Sequence, residues 1–333
     1  MNKHYREIDV FKGIAIAMVM LGHAIIVYPI NLNTAYSWCN YLHWFVSSAH
    51  MVMFSALSGF CFGFHDWKSY LTKKAKRILV PFVVFAVLGI FVNKFLGSLI
   101  NDPKSIKESL IGILTGSSNW FLYTLFIIFL IFPFILKVFE NRKAALILIC
   151  AFGILQLFSF WPTMFCIDRV VKYIFYFSVG YYFKLESKKE SKLWTQFIAF
   201  VKKPLVWLVS LIIWIPLVFV LIKLENRLYL LYALVSIITA LVGMVNIISF
   251  GFIVSKISIS KLFEETGKVS LQLFLFNGYF LTLTRTVTVK LLHITSPVII
   301  IAANVIMMYF VSYVLIHFVI KKVKLFRVLT GMV

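Results

Sequence analysis

Asp9, Lys12 and His23 set an acid, a base and an imidazole into an otherwise apolar run, Asp-Val-Phe-Lys-Gly-Ile-Ala-Ile-Ala-Met-Val-Met-Leu-Gly-His. Histidine is the side chain best suited to take or give a proton near neutral pH. In a helix, Lys12 and His23 at i and i+11 share a face, separated by about 16 Å at about 1.5 Å per residue. Asp9, one turn before Lys12, joins the same stripe. Ionisable groups within an apolar helix are costly and face the protein interior or water. The spacing therefore predicts a polar passage that enters from one membrane face and ends at His23. In the alternative reading, Asp9 and Lys12 mark the end of the span, Lys12 snorkels to the headgroups, and His23 is a hydrogen-bonded packing residue.

A second apolar run reads His50-Met-Val-Met-Phe-Ser-Ala-Leu-Ser58-Gly-Phe. His50 and Ser58 at i and i+8 lie close to one helical face, placed to orient a hydroxyl or the first histidine. Ser58-Gly59 also suits close helix packing. The basic run Lys73-Lys74-Ala-Lys76-Arg77 before Pro81 fits either topology or phosphate, since Arg makes bidentate contacts and Lys supplies point charge. Trp120 and Tyr123 open another apolar stretch as stacking or interfacial aromatics. Asp168, Arg169 and Lys172 open the next but one. Gln272, Asn277 and Arg285 place polar groups in a late span, where Arg285 needs a partner or water.

These residues sit in a chain of 333 residues that is 62% hydrophobic, more apolar than a soluble domain of this size requires. Ten segments are long and apolar enough to be candidate spans: 8–29, 42–65, 77–100, 119–139, 143–160, 167–185, 203–224, 228–251, 268–292 and 297–320. The predicted fold is all-α, a polytopic membrane protein of about ten transmembrane helices forming one domain over 1–333. The net charge of +21 comes from 33 Lys and Arg against 12 Asp and Glu. Most of the basic residues fall in alternate loops, beginning with Lys3 and Arg6 and ending with Lys321 to Arg327. That is the positive-inside pattern, which predicts both termini in the cytoplasm and argues against nucleic acid as a partner. The four cysteines show no metal-ligand spacing, and no metal site is expected. There is no GxSxG elbow, P-loop, HExxH or dinucleotide fingerprint, so a soluble-type active site is unsupported.

The sequence resembles the acyltransferase 3 family of integral membrane acyltransferases, closest to its branch of fucose 4-O-acetylases and surface-polysaccharide O-acetyltransferases. Members open with an acid, two residues, Arg or Lys, then ten residues to a histidine. Asp9, Lys12 and His23 match that opening. His50, Met51, Phe54, Leu57, Ser58, Gly59 and Phe60 match the family's second motif, interrupted by Val52 and Ser55. Lys74 and Arg77 match its basic entry to the third span, Trp120-Phe121 its Trp-Phe-Leu, and Arg169, Phe175, Phe177, Gly180 and Tyr181 its Arg…Phe-Phe-x-x-Gly-Tyr stretch. The departures are Lys12 where Arg is commoner, and Asn277 where many members carry histidine.

The resemblance implies a multi-pass enzyme of the inner (plasma) membrane. Such an enzyme moves an acetyl group from cytoplasmic acetyl-CoA, a donor substrate and not a bound cofactor, to a hydroxyl of a cell-surface polysaccharide or its lipid-linked precursor. In that frame His23 is the general base or a transient acyl carrier, His50 is a second catalytic candidate, and Asp9, the third, orients Lys12 or stays structural. Lys12, Lys74 and Arg77 are donor-phosphate residues, and Ser58, Trp120, Tyr123 and Arg169 are acceptor contacts. His50 and Ser58 are also candidates for the oxyanion. Two rivals are an exporter using the same polar groups without chemistry, and an assembly partner that needs none of them.

Overall fold

The computed structural model describes residues 6–26, 31–96, 105–225 and 227–332. Lys3 and the last residues of the spans expected at 8–29 and 77–100 lie outside the described residues. The described residues are helical, with no strand. In chain order they form α1 (Arg6–Ile26), the single turn α2 (Leu32–Ala35), α3 (Ser37–Ser47), α4 (His50–Phe60), α5 (Trp67–Lys74) and α6 (Val80–Leu96). Then come α7 (Ile106–Thr115), α8 (Trp120–Ile131), α9 (Arg142–Leu155), α10 (Ile167–Lys188), α11 (Lys192–Val201) and α12 (Pro204–Leu224). The chain closes with α13 (Tyr229–Val254), α14 (Ser260–Lys268), α15 (Ser270–Arg285), α16 (Pro297–Leu315) and α17 (Lys324–Leu329).

Helix occupies each of the ten expected segments. Among the described residues, six stretches are long and apolar enough to cross a membrane: Arg6–Ile26, Trp67–Val92, Ile106–Glu140, Pro204–Leu224, Tyr229–Val254 and Pro297–Ile320. Backbone groups in hydrocarbon have no water to bond, so helices that close their own hydrogen bonds are the natural solution for such a sequence. Phe91, Phe134, Ile147, Ile212 and Phe310 point outward, whereas Asp9, His50, Asn277, Arg285 and Asn304 are buried. That inversion, apolar outside and polar within, is what a lipid solvent selects.

Several expected spans are broken, each for a local reason. The segment 42–65 divides at Ser48-Ala49, where Ala49 has non-helical φ −126° and ψ −31°. The Ser48 hydroxyl donates back to the Phe45 carbonyl at 2.8 Å and accepts from Trp214 Nε1 at 3.0 Å, so side-chain bonds replace the missing helical ones. Pro133 ends α8, and the chain goes on as a 3₁₀ turn over Phe132–Glu140. Val269, at φ −111° and ψ 18°, separates α14 from α15. In α9 the helix stops at Leu155, about 21 Å long at about 1.5 Å per residue.

α1 is the most buried of the six membrane-length stretches. It packs against α3, α4, α13, α14, α15 and α16. The α14–α15 rod runs alongside it in the same direction. Near its start Arg6 Nε meets Glu264 at 2.5 Å and Arg6 donates to Ser260 Oγ at 3.0 Å. Near its finish Arg285 donates to the Ala24 carbonyl. Small residues permit the approach: a Cβ on Gly13 would strike the Phe263 carbonyl, and one on Gly267 would strike the Asp9 carbonyl. α4 and α10 meet in the same reciprocal way, Gly59 against the Phe177 backbone and Gly180 against that of Ala56.

Candidate functional site

The polar end of α1 is built around three imidazoles. His23 Nδ1 lies 2.7 Å from Asn277 Nδ2 on α15. His43 on α3 places Nδ1 3.3 Å from the Gly22 carbonyl. His50, buried at the start of α4, places Nδ1 2.5 Å from the Val46 carbonyl. A carbonyl only accepts, so His43 and His50 each carry their proton on Nδ1 and keep a lone pair on Nε2. His50 is in electrostatic range of both other imidazoles. Beside them the guanidinium of Arg285, fully buried, donates to the carbonyl of Ala24, the residue after His23.

Asn277 decides what His23 can do. An amide N–H donated to Nδ1 leaves the imidazole proton on Nε2. With oxygen and nitrogen of the amide exchanged, Asn277 accepts from Nδ1–H and Nε2 keeps a lone pair. Heavy atoms need not move between the two. Only the second arrangement makes His23 Nε2 a base.

The other end of the expected stripe is also in place, and its middle is not. Lys12 Nζ donates to Asp9 Oδ1 at 3.3 Å, with Asp9 buried. Ile16 and Val19, which fall on the same face between Lys12 and His23, are both fully buried. The predicted polar passage along α1 is therefore corrected. The stripe is polar at its ends and closed by apolar packing between them, because the helices around α1 press on that face. His23 itself is half-buried.

The basic run divides. Lys73, Lys76 and Arg77, with Lys68, Ser69, Thr72 and Asp66, line a cavity of ≈ 680 Å³ at the Arg6 end of the bundle. Lys74 turns away from it, its Nζ 3.5 Å from the Phe129 ring centre and 5.6 Å from that of Tyr70. Such cation–π contact fixes Lys74 against the aromatic core. Of the two residues in this run expected to hold donor phosphate, the structure brings Arg77 to the cavity and leaves Lys74 out. Asp66 starts the segment by accepting from the Ser69 N–H at 2.8 Å, a capping contact that orients α5.

Among the four acceptor candidates, two meet. The Arg169 guanidinium lies over the Trp120 ring at 4.4 Å, and Trp120 is 5.5 Å from Tyr173. The Tyr123 hydroxyl is engaged with the Leu114 carbonyl at 3.1 Å, where it holds the turn after α7. Ser58 is two turns along α4 from His50, about 12 Å at about 1.5 Å per residue, at the end of the helix that points toward Phe60 and away from the imidazoles. Its proposed part beside His50 is not supported by this placement.

His43 and Asn277 are the members of the site not singled out as such. His43 is seven residues before His50 in one apolar run, and that two-turn spacing was the available signal, although the chain breaks at Ser48-Ala49 between them. Asn277 stood out as a polar residue in an apolar span, but not as the partner of His23, since their contact crosses 254 positions of sequence.

The family profile for the acyltransferase domain of type 3 matches residues 5–317. The chain belongs to the acyltransferase 3 family. No curated protein and no solved structure matches it. The match takes in every residue of the histidine cluster, the basic cavity and the Trp120–Arg169 pair. An acyltransferase 3 member with multiple apolar helices is a membrane-bound acyltransferase. An acyl transfer needs a base for the attacking group, and the three imidazoles beside Asn277 are the candidates in this cluster, His23 among them when Asn277 accepts from its Nδ1–H.

Proposed function

We propose that this acyltransferase moves an acetyl group from cytoplasmic acetyl-CoA to a hydroxyl of a cell-surface polysaccharide or its lipid-linked precursor. It does so as a multi-pass protein of the inner (plasma) membrane with about ten crossings and both termini inside. The observation that carries the proposal is the His23–Asn277 contact at 2.7 Å on the most buried membrane-length stretch. In the transfer step the acceptor hydroxyl oxygen bonds to the thioester carbonyl carbon while His23 Nε2 takes the hydroxyl proton. The carbon–sulfur bond then breaks, and the departing thiolate recovers that proton from the imidazolium. His50, protonated on Nδ1 and bonded to Val46, presents a lone pair. It suits a hydrogen bond from the acceptor hydroxyl and does not suit donation to an oxyanion, which revises that part of the sequence expectation. Asp9 holds Lys12 at the cytoplasmic end. The donor's acetyl arm reaches His23 either by parting the Ile16 and Val19 contacts or along another face of α1.

The phosphates of the donor are matched by the cavity at Lys73, Lys76 and Arg77. Each charge-assisted hydrogen bond is worth about 1.5–3 kcal/mol. Arg77→Ala is therefore expected to raise the KM for acetyl-CoA about tenfold or more with kcat little changed, and the increase should grow with a Lys73→Ala partner. Steady-state kinetics on purified protein at fixed ionic strength checks it.

Asn277 is a positioning residue. Asn277→Ala is expected to lower kcat about ten- to a hundredfold, part of the range general bases supply, with KM for the donor unchanged. Asn277→Asp, which can only accept from Nδ1–H when ionised, should retain most of the rate. If Asn277→Asp is as slow as Asn277→Ala, the amide donates to His23 and the base assignment fails. The proposal as a whole is tested by mass spectrometry of surface glycans from cells with and without the chain. Acetyl esters should be present only with it.

A further inference from the structure

At the Ile26 end of the bundle, remote from the basic cavity, the end of α9, the start of α10 and the start of α13 enclose a second cavity of ≈ 160 Å³. None of its lining residues belongs to α1, α3 or α4, so it is separate from the histidine cluster. Its walls carry Gln156, Asp168, Lys172, Tyr232 and Ser236. The Gln156 amide nitrogen and Asp168 Oδ1 are buried and make no hydrogen bond among the described residues. Buried polar atoms left without partners are rare in folded proteins and ask for an explanation.

The aromatic part of the wall is fixed. Trp161 Nε1 donates to the Leu155 carbonyl at 2.7 Å, and the Tyr229 hydroxyl donates to the Phe158 carbonyl at 3.1 Å. Both rings are thus held in place next to unused donors and acceptors. A lone amide N–H requires an acceptor and a lone carboxylate oxygen requires a donor. A sugar hydroxyl is both at once. The carboxylate of Asp168 and the ammonium of Lys172 share the wall, so the cavity has no net preference for a charged ligand, and Asp168 disfavours a phosphate. The volume is below the range of about 300–1,000 Å³ typical of pockets for drug-sized ligands, which fits one ring and excludes an oligosaccharide.

We propose that this cavity is a subsite for a single neutral sugar ring of the acceptor, held on the outward face by Gln156, Asp168 and Tyr232 apart from the reacting hydroxyl at His23. It rests on the acetyl-transfer proposal for its biological meaning, and on the cavity alone for binding. The test uses the whole chain in nanodiscs free of glycosidic detergent. Saturation-transfer NMR is run with methyl glucoside, methyl galactoside, methyl fucoside and methyl N-acetylglucosaminide as probes, and retention of labelled acetyl-CoA is measured on the same samples. At least one glycoside should bind, and its affinity should fall about tenfold or more in Tyr232→Ala and in the Gln156→Leu, Asp168→Asn double variant. Both variants should keep the wild-type melting temperature within a few degrees and retain acetyl-CoA as before. An octyl glycoside binding much more tightly than its methyl counterpart identifies a lipid-linked acceptor; equal binding identifies a polymer end. Absence of any glycoside signal in the wild type, or a signal unaltered in the two variants, overturns the subsite. Glycoside binding without acetyl-CoA binding leaves the subsite standing and sinks the acetyl-transfer proposal.

Discussion

Replacing His23 by alanine is expected to remove acetyl esters from the surface glycans while the protein still inserts and accumulates at the wild-type level. General acid–base groups contribute about 10²- to 10⁴-fold, and nothing else in the cluster can take over from His23. His50 offers a lone pair on Nε2, but its ring is tied to the Val46 carbonyl at 2.5 Å on a different helix, so it does not move into the position His23 vacates. His43→Ala should be milder, since among the described residues its polar contact is to the Gly22 carbonyl at 3.3 Å. Glycan mass spectrometry normalised to chain abundance measures both. Acetylation undiminished in His23→Ala would remove this imidazole from the chemistry.

A large loss of folded protein is expected on substitution at the crossing of α4 and α10. A Cβ at Gly59 would lie on the Phe177 carbonyl, and one at Gly180 on that of Ala56. The obstacle in each case is backbone, which cannot swing aside as a flexible side chain can. Overpacking of this kind costs about 1–3 kcal/mol per site. Gly59→Ala and Gly180→Ala should each lower the melting temperature in detergent, and Gly59→Leu should abolish recovery of monodisperse protein. Gly63→Ala is the control, because nothing lies within 4 Å of a Cβ there; its melting temperature should not move. If Gly59→Ala melts like the control, the α4–α10 contact is looser than described. Because Ser55 on the same helix donates to the Tyr173 carbonyl at 2.8 Å, parting the two helices also strands a buried hydroxyl, which adds to the loss.

The helices were readable because their cause is local: long apolar runs, interrupted by turns and basic loops, make helix the available solution in lipid. Even the shortest segment, at 143–160, is helical over Arg142–Leu155. Of the breaks, the one at Pro133 is announced by its residue, whereas those at Ser48-Ala49 and Val269 are not. At the first of these, Trp214, far along the chain, donates to the Ser48 hydroxyl, and no pattern near Ser48 announces that contact. The same division holds for the site. Asp9 and Lys12 pair as their spacing predicts, and Arg169 meets Trp120. Spacing on one helix nevertheless does not say whether a face is open. Ile16 and Val19 close the stripe between Lys12 and His23, and this depends on which helices surround α1. Lys74 illustrates a finer limit. It belongs to the same run as Lys73 and Lys76, but its place one residue after Lys73, about 100° around the helix, aims it at Phe129 and not at the cavity. Phasing the run as a helix separates Ser69, Thr72, Lys73, Lys76 and Arg77 from Lys74, and would have found the cavity face. Asn277 was visible as a polar residue in an apolar span, but its pairing with His23 comes only from the three-dimensional contact.

The central claim, that this chain passes an acetyl group onto carbohydrate through His23, is tested most directly by purified protein in proteoliposomes. The donor is acetyl-CoA labelled in its acetyl group, and the acceptor is an envelope glycan extract from cells lacking the chain. The account predicts label in base-labile ester linkage on the glycan with the wild type and none with His23→Ala. Glycan crossing the bilayer with the donor untouched would contradict it and would make the protein an exporter.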